Sequence, residues 1–73
     1  MTSLPQVSAR ECIRALQRAG FFVLRQRGSH IILCRDDPYA QTVVPNHREL
    51  GPGLLRTIIR QADLTVEEFV ELL

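Results

Sequence analysis

Seventy-three residues, 45% of them hydrophobic, with nine arginines, no lysine, eight acids and a net charge of +1, leave room for a single folded domain spanning 1–73 and no second one. A chain this short buries only about 60% of its unfolded surface, so its core has to be economical. No apolar run approaches the roughly 18 residues of a membrane span, and the opening Met1-Thr2-Ser3-Leu4-Pro5 has neither the basic nor the apolar region of a secretory signal, so a cytoplasmic protein is expected.

The first element is a helix. Ser8-x-x-Glu11 forms a capping box, Val7 and Cys12 are placed as its hydrophobic staple, and Cys12, Ile13, Leu16 and Ala19 recur at helical spacing. Gly20 is the expected C′ residue. Arg10, Arg14 and Arg18 recur every four residues, which puts them on one exposed stripe.

Two runs rich in β-branched, aromatic and arginine residues follow, Phe21 to Arg27 and His30 to Arg35. Between them Gly28-Ser29 suits a two-residue type II′ turn, which predicts a hairpin. Its register pairs Arg27 with His30, Gln26 with Ile31, Arg25 with Ile32, Leu24 with Leu33, Val23 with Cys34 and Phe22 with Arg35. Alternation then sends Phe22, Leu24, Ile31 and Leu33 towards the helices. Arg25, Arg27 and His30 go to the opposite face, followed by Val23, Ile32 and Cys34.

Asp36 to Ala40 reads as a turn and Gln41 to Val44 as a third strand ending at Pro45, since proline donates no ladder hydrogen bond. Asn46 to Glu49 are loop. Gly51-Pro52 is an N-cap and N1 pair for a second helix whose apolar stripe is Leu54, Leu55, Ile58, Ile59 and Ala62, with Asp63 at its end. Thr65-x-x-Glu68 is a second capping box, with Leu64 and Phe69 as its staple, and opens a short final helix. The order is αβββα plus a terminal helical turn, an α+β fold with helices against one sheet face.

Charge is distributed unevenly. Residues up to Arg35 sum to +5 and the remainder to −4. An arginine-only basic half favours phosphate contacts, because the guanidinium fork binds them bidentately, although such charge also serves solubility. Metal chemistry has little support: His30 and Cys34, four residues apart on one strand, stand roughly 13 Å apart at about 3.3 Å per residue, and no other His or Cys spacing suits an ion. Cys12 and Cys34 read as reduced thiols rather than a disulfide, and no signature marks either, or Ser29, as a nucleophile.

His30 is the better candidate. It begins a strand beside a turn, with Arg27 opposite and Arg25 diagonal. Cleaving RNA requires a base for the ribose 2′-hydroxyl and cations for the charge gathering on phosphate, and a neutral imidazole with arginine forks supplies both. A polar residue that merely follows a turn is the plainer reading of the same position. His47, emerging from the third strand, is either an auxiliary acid, a substrate contact or a loop-ordering residue. The acids Asp63, Glu67, Glu68 and Glu71 show no metal spacing and read mostly as a solvated face, with Glu67 and Glu68 complementing the start of a helix.

Four blocks bring a family into view. Gly20-Phe21, Arg25-Gln26-Arg27-Gly28-Ser29-His30, Val44-Pro45-Asn46-His47, and the run from Glu49-Leu50 through Gly53, Leu55-Arg56, Ile58 to Ala62 and Leu64-Thr65 to Glu67-Glu68-Phe69 together resemble the HicA toxins. The chain departs from that family's pattern at Leu54, where a small hydroxyl residue is usual, and at Asp63, where glycine is usual. The resemblance implies a double-stranded-RNA-binding-like αβββα fold, metal-independent and cofactor-free cleavage of mRNA, and a HicB-type antitoxin partner that covers the active site. His30 matches the family's catalytic histidine. Arg25, Arg27, Ser29 and His47 are then the expected substrate contacts. Two other functions fit the same residues: a non-catalytic RNA-binding module using the Arg10, Arg14 and Arg18 stripe, and a small protein-interaction domain with an acidic partner.

Overall fold

A computed structural model of the chain describes residues 3–73. In chain order it contains α1 (Ala9–Arg18), β1 (Phe22–Arg27), β2 (His30–Asp36), β3 (Tyr39–Pro45), α2 (Pro52–Gln61) and α3 (Val66–Leu72). This is the expected α+β order, αβββα with a short extra helix. The strands form one antiparallel sheet in the order β1-β2-β3.

Both capping boxes form. The Ser8 hydroxyl accepts from the Glu11 amide at 3.1 Å while the Glu11 carboxylate accepts from the Ser8 amide at 2.9 Å. Thr65 and Glu68 do the same at 3.0 and 2.8 Å. Each reciprocal pair satisfies two amides that the first helical turn leaves without a partner.

Helices α1 and α2 stop in the same way. After α1 the Phe21 amide reaches the Leu16 carbonyl and the Gly20 amide reaches that of Gln17, both at 3.0 Å. After α2 the Leu64 amide reaches Ile59 at 3.1 Å and the Asp63 amide reaches Arg60 at 3.0 Å. Both are Schellman motifs, which need a left-handed residue at C′. Gly20 takes it at φ 96°, and Asp63 takes it at φ 59° with a β-carbon to accommodate.

Buried side chains of the two long helices, among them Leu16, Leu55 and Ile58, meet Leu33 and Val44 of the sheet, with Phe69 of α3 closing the same core. Thr42 is the polar exception on the inner face. Its hydroxyl donates to the Gln61 side-chain carbonyl at 2.9 Å, which removes the penalty of burying it. Leu54, expected on the α2 stripe, is instead exposed, and helix entry is set by Gly51 and Pro52 without it.

Two expectations need correction. The β2–β3 connection is tighter than an Asp36 to Ala40 turn, because pairing continues down to Asp36 and Tyr39. The β1–β2 register holds for Arg27 with His30, Gln26 with Ile31 and Arg25 with Ile32, and then slips: Val23 pairs with Leu33 and Phe22 with Cys34. Leu24 is the extra residue of a β-bulge. Since cross-strand partners share a face, the bulge transfers Phe22 to the outer face and Val23 to the helix side. The expected inner quartet of Phe22, Leu24, Ile31 and Leu33 therefore reduces to Ile31 and Leu33.

The slip also releases Arg35 from pairing with Phe22. Its guanidinium donates through Nη1 to the Ala19 carbonyl and through Nη2 to that of Ala62, both at 3.4 Å, and through Nε to Pro38 at 2.9 Å. Ala19 and Ala62 are the C-caps of α1 and α2. One cation thus sits against two helix C-termini, where the helix dipoles favour positive charge. It also lies 4.8 Å from the centre of the Phe21 ring. Its stem passes 3.5 Å from where a Gly20 β-carbon would stand, so that glycine serves both the backbone angle and the approach of Arg35.

Candidate active site

The opposite end of the sheet is built by three backbone features. The β1–β2 turn has Gly28 at φ 58°, the positive sign a type II′ turn requires at its first position, and the Gln26 side-chain amide donates to the Gly28 carbonyl at 3.0 Å. Beyond the turn, Arg27, His30 and Pro45 form one cross-strand row through β1, β2 and β3. The chain leaving Pro45 is then fastened on both sides. The Asn46 amide donates to the Ser29 carbonyl at 2.6 Å, and the carbonyl of His47 accepts from the Ala9 amide at 2.9 Å. A bridge between Val7 and Leu50, with the Leu50 amide donating to the Val7 carbonyl at 2.9 Å, anchors the far end of this loop.

The turn, the start of β2, the end of β3 and the first turn of α1 therefore converge, and with the loop that leaves Pro45 they carry Ser29, His30 and His47. Arg27 stands opposite His30 and Arg25 lies two residues along β1 on the same face, away from Ile31 and Leu33. All five expected site residues, Arg25, Arg27, Ser29, His30 and His47, are exposed. Neither β1 nor the connecting turn contains an acid, so the row presents cations and imidazole to solvent with no carboxylate on that strand to neutralise them.

Other candidate chemistry is displaced. The Arg10, Arg14 and Arg18 stripe is partly engaged within the fold: Arg18 donates to the Leu72 carbonyl, and Arg14 and Arg18 line a groove with Glu11 and Leu73. Its C-terminal half holds α3 against α1. Cys12 is fully buried, and burial pushes its thiol from 9.0 up to about 12, the opposite of what a nucleophile needs. Cys34 is also a buried free thiol. Among the described residues no three His, Cys, Asp or Glu side chains are grouped so as to hold a metal ion, and no helix is long and apolar enough to cross a membrane.

Sequence reasoning missed the two backbone clasps that position the His47 loop, and it had no signal for them, since any residue can supply an amide or a carbonyl. A comparison with family models matches residues 9–64 to the family described as the HicA toxin of bacterial toxin-antitoxin systems. The chain belongs to the HicA toxin family. The match runs from the first residue of α1 to the residue that completes the α2 Schellman motif, so it contains the three strands and the His47 loop of the convergent end, and leaves out Val7 and α3. No curated protein matches the chain. HicA membership makes the chain a toxin of a toxin-antitoxin pair, with an antitoxin of the HicB type as the implied partner.

Proposed function

We propose that the chain, acting as one HicA-like domain in the cytoplasm, is a metal-independent endoribonuclease that cleaves mRNA with His30 as general base. The observation that carries this reading is the cross-strand row in which Arg27 and His30 are exposed and Pro45 is buried, with the His47 loop fastened beside it. The imidazole takes the proton of a ribose 2′-hydroxyl. The 2′-oxygen then attacks the adjacent phosphorus as the bond to the 5′-oxygen breaks, and the departing oxygen takes up a proton. The products are a 2′,3′-cyclic phosphate and a 5′-hydroxyl end. Arg25 and Arg27 bind the phosphate as its charge grows, and the Ser29 and His47 segments bound the site and contact the substrate. Single-stranded RNA is the suitable form, because in-line attack requires a backbone geometry that a regular duplex resists. An antitoxin of the HicB type silences the toxin by covering this surface.

The test is cleavage of a single-stranded RNA in EDTA with analysis of the ends. Cutting in wild type that yields cyclic phosphate, and its loss in a folded His30→Ala chain, is the expected result. Undiminished cutting by folded His30→Ala protein overturns the assignment.

A further inference from the structure

Strand β1 differs from the rest of the sheet. All six of its residues are exposed, whereas β2 and β3 each bury most of theirs or alternate. The long helices lie nearest β3, and the extensive contacts of β1 are with β2, so β1 overhangs the helix layer. It is also an edge: in the order β1-β2-β3 its outer side has no neighbouring strand among the described residues, which leaves a row of amides and carbonyls facing solvent.

The residues on that edge are not those of a strand meant only for water. Phe22, Val23 and Leu24 are 41%, 45% and 50% exposed, a contiguous apolar run of the kind that marks an interaction surface. Arg25 and Arg27 follow on the outer face. The strand therefore offers three recognition features in line: open backbone hydrogen bonds, an apolar half, and two cations without an acid on the same strand. A second copy of β1 would bring its own arginines to this edge.

We infer that β1 is a docking edge for an extended, acidic segment of a protein partner, which adds to the sheet as a fourth strand. Alternation specifies the segment. Carboxylates on its outer face lie beside Arg25 and Arg27, and apolar residues on its other face cover Val23 beneath the overhang. A partner seated there also covers the arginines assigned to phosphate binding, so it competes with RNA. The docking stands on the strand itself; only the competition rests on the ribonuclease reading.

The experiment is an amide-resolved NMR titration of the full chain with a capped peptide of alternating glutamate and valine. Expected are shifts and slowed amide exchange concentrated in Phe22 to Arg27, binding at least tenfold weaker when lysine replaces glutamate, and no binding by a peptide N-methylated throughout its central residues. The double variant Arg25→Glu, Arg27→Glu, at two exposed positions, is expected to reverse the preference towards the lysine peptide. Binding indifferent to charge or to N-methylation, shifts centred on α1 instead of β1, or concentration-dependent shifts of β1 without peptide, which would make a second copy the occupant, each overturn the inference. Displacement of the peptide by an uncleavable 2′-O-methyl RNA supports the competition. Peptide binding with no RNA binding supports the docking and counts against the ribonuclease reading.

Discussion

The two ends of this sheet use arginine in opposite ways. At one end Arg35 is turned inward, with each arm of its guanidinium on a backbone carbonyl and its face over Phe21. At the other, Arg25 and Arg27 stand exposed beside His30 on a strand that contacts no helix extensively. The closed end fastens α1, α2 and the β2–β3 turn together, and the open end leaves its cations available to an anion. In a domain of this size the contrast makes a separable prediction: damage to the closed end is read in stability, and damage to the open end in activity.

The largest expected effect is at the open end. His30→Ala should reduce RNA cleavage by about 10²- to 10⁴-fold, the usual contribution of a general base, while shifting stability by no more than about 0.5 kcal/mol, as for other exposed positions. Cleavage rates and thermal melts on the same preparation check both halves. A large loss of melting temperature would break the contrast, because His30 would then be structural.

Arg35→Ala should show the converse. Losing three hydrogen bonds from a charged donor and a cation–π contact costs about 3 kcal/mol, or very roughly 12 to 24 °C in a domain of this length. Cleavage per folded molecule should be unchanged well below the melting transition. Arg35→Lys should recover less than half, since a single ammonium cannot span carbonyls on two helices and a turn.

A third test uses pH. The folded Cys12 thiol sits at about 12, above its ordinary 9.0, because burial penalises the thiolate. A group whose pKa is raised by folding contributes stability that is complete below its unfolded value and is lost as pH climbs towards the folded one. Stability should therefore decline between about pH 9 and 12, by roughly 2 kcal/mol at pH 10.5, from 1.36 kcal/mol per unit. Denaturant melts at pH 8 and 10.5 measure it, and Cys12→Ala should flatten this slope even though the cavity lowers stability throughout.

How far the residues foretold this contrast depends on what each feature needs. Helix ends were legible because capping boxes and C′ positions demand particular side chains at fixed spacing: Ser8 with Glu11, Thr65 with Glu68, Gly20. The His30 end was legible as far as the Gly28-Ser29 turn sets register, which it does for the three pairs nearest to it. Beyond Arg25 the turn no longer controls pairing. The Leu24 bulge is signalled only by the unbroken apolar run Phe21-Phe22-Val23-Leu24, where alternation should place polar residues. That single inserted residue moved Phe22 outward and left Arg35, on the same face as Ile31 and Leu33, without the cross-strand partner expected for it. The position of Arg35 is set by tertiary convergence of two helix ends, which no local pattern encodes.

The smallest effect sharpens the account of the closed end. Asp63 follows Ala62, whose carbonyl Arg35 holds, and it adopts φ 59°. A β-carbon in that conformation is strained, and a carboxylate at a helix C-terminus opposes the dipole. Asp63→Gly should therefore stabilise the fold by about 0.5 to 1 kcal/mol, reduced somewhat by the greater freedom of glycine in the unfolded chain. Asp63→Asn separates the causes, because asparagine tolerates the left-handed region nearly as well while carrying no charge. If the dipole is what matters, asparagine should capture part of the gain, and salt should diminish it. If asparagine instead destabilises, the carboxylate is balancing the positive charge that Arg35 brings to both helix ends, and the clamp is a four-part arrangement in which Asp63 is the counter-ion.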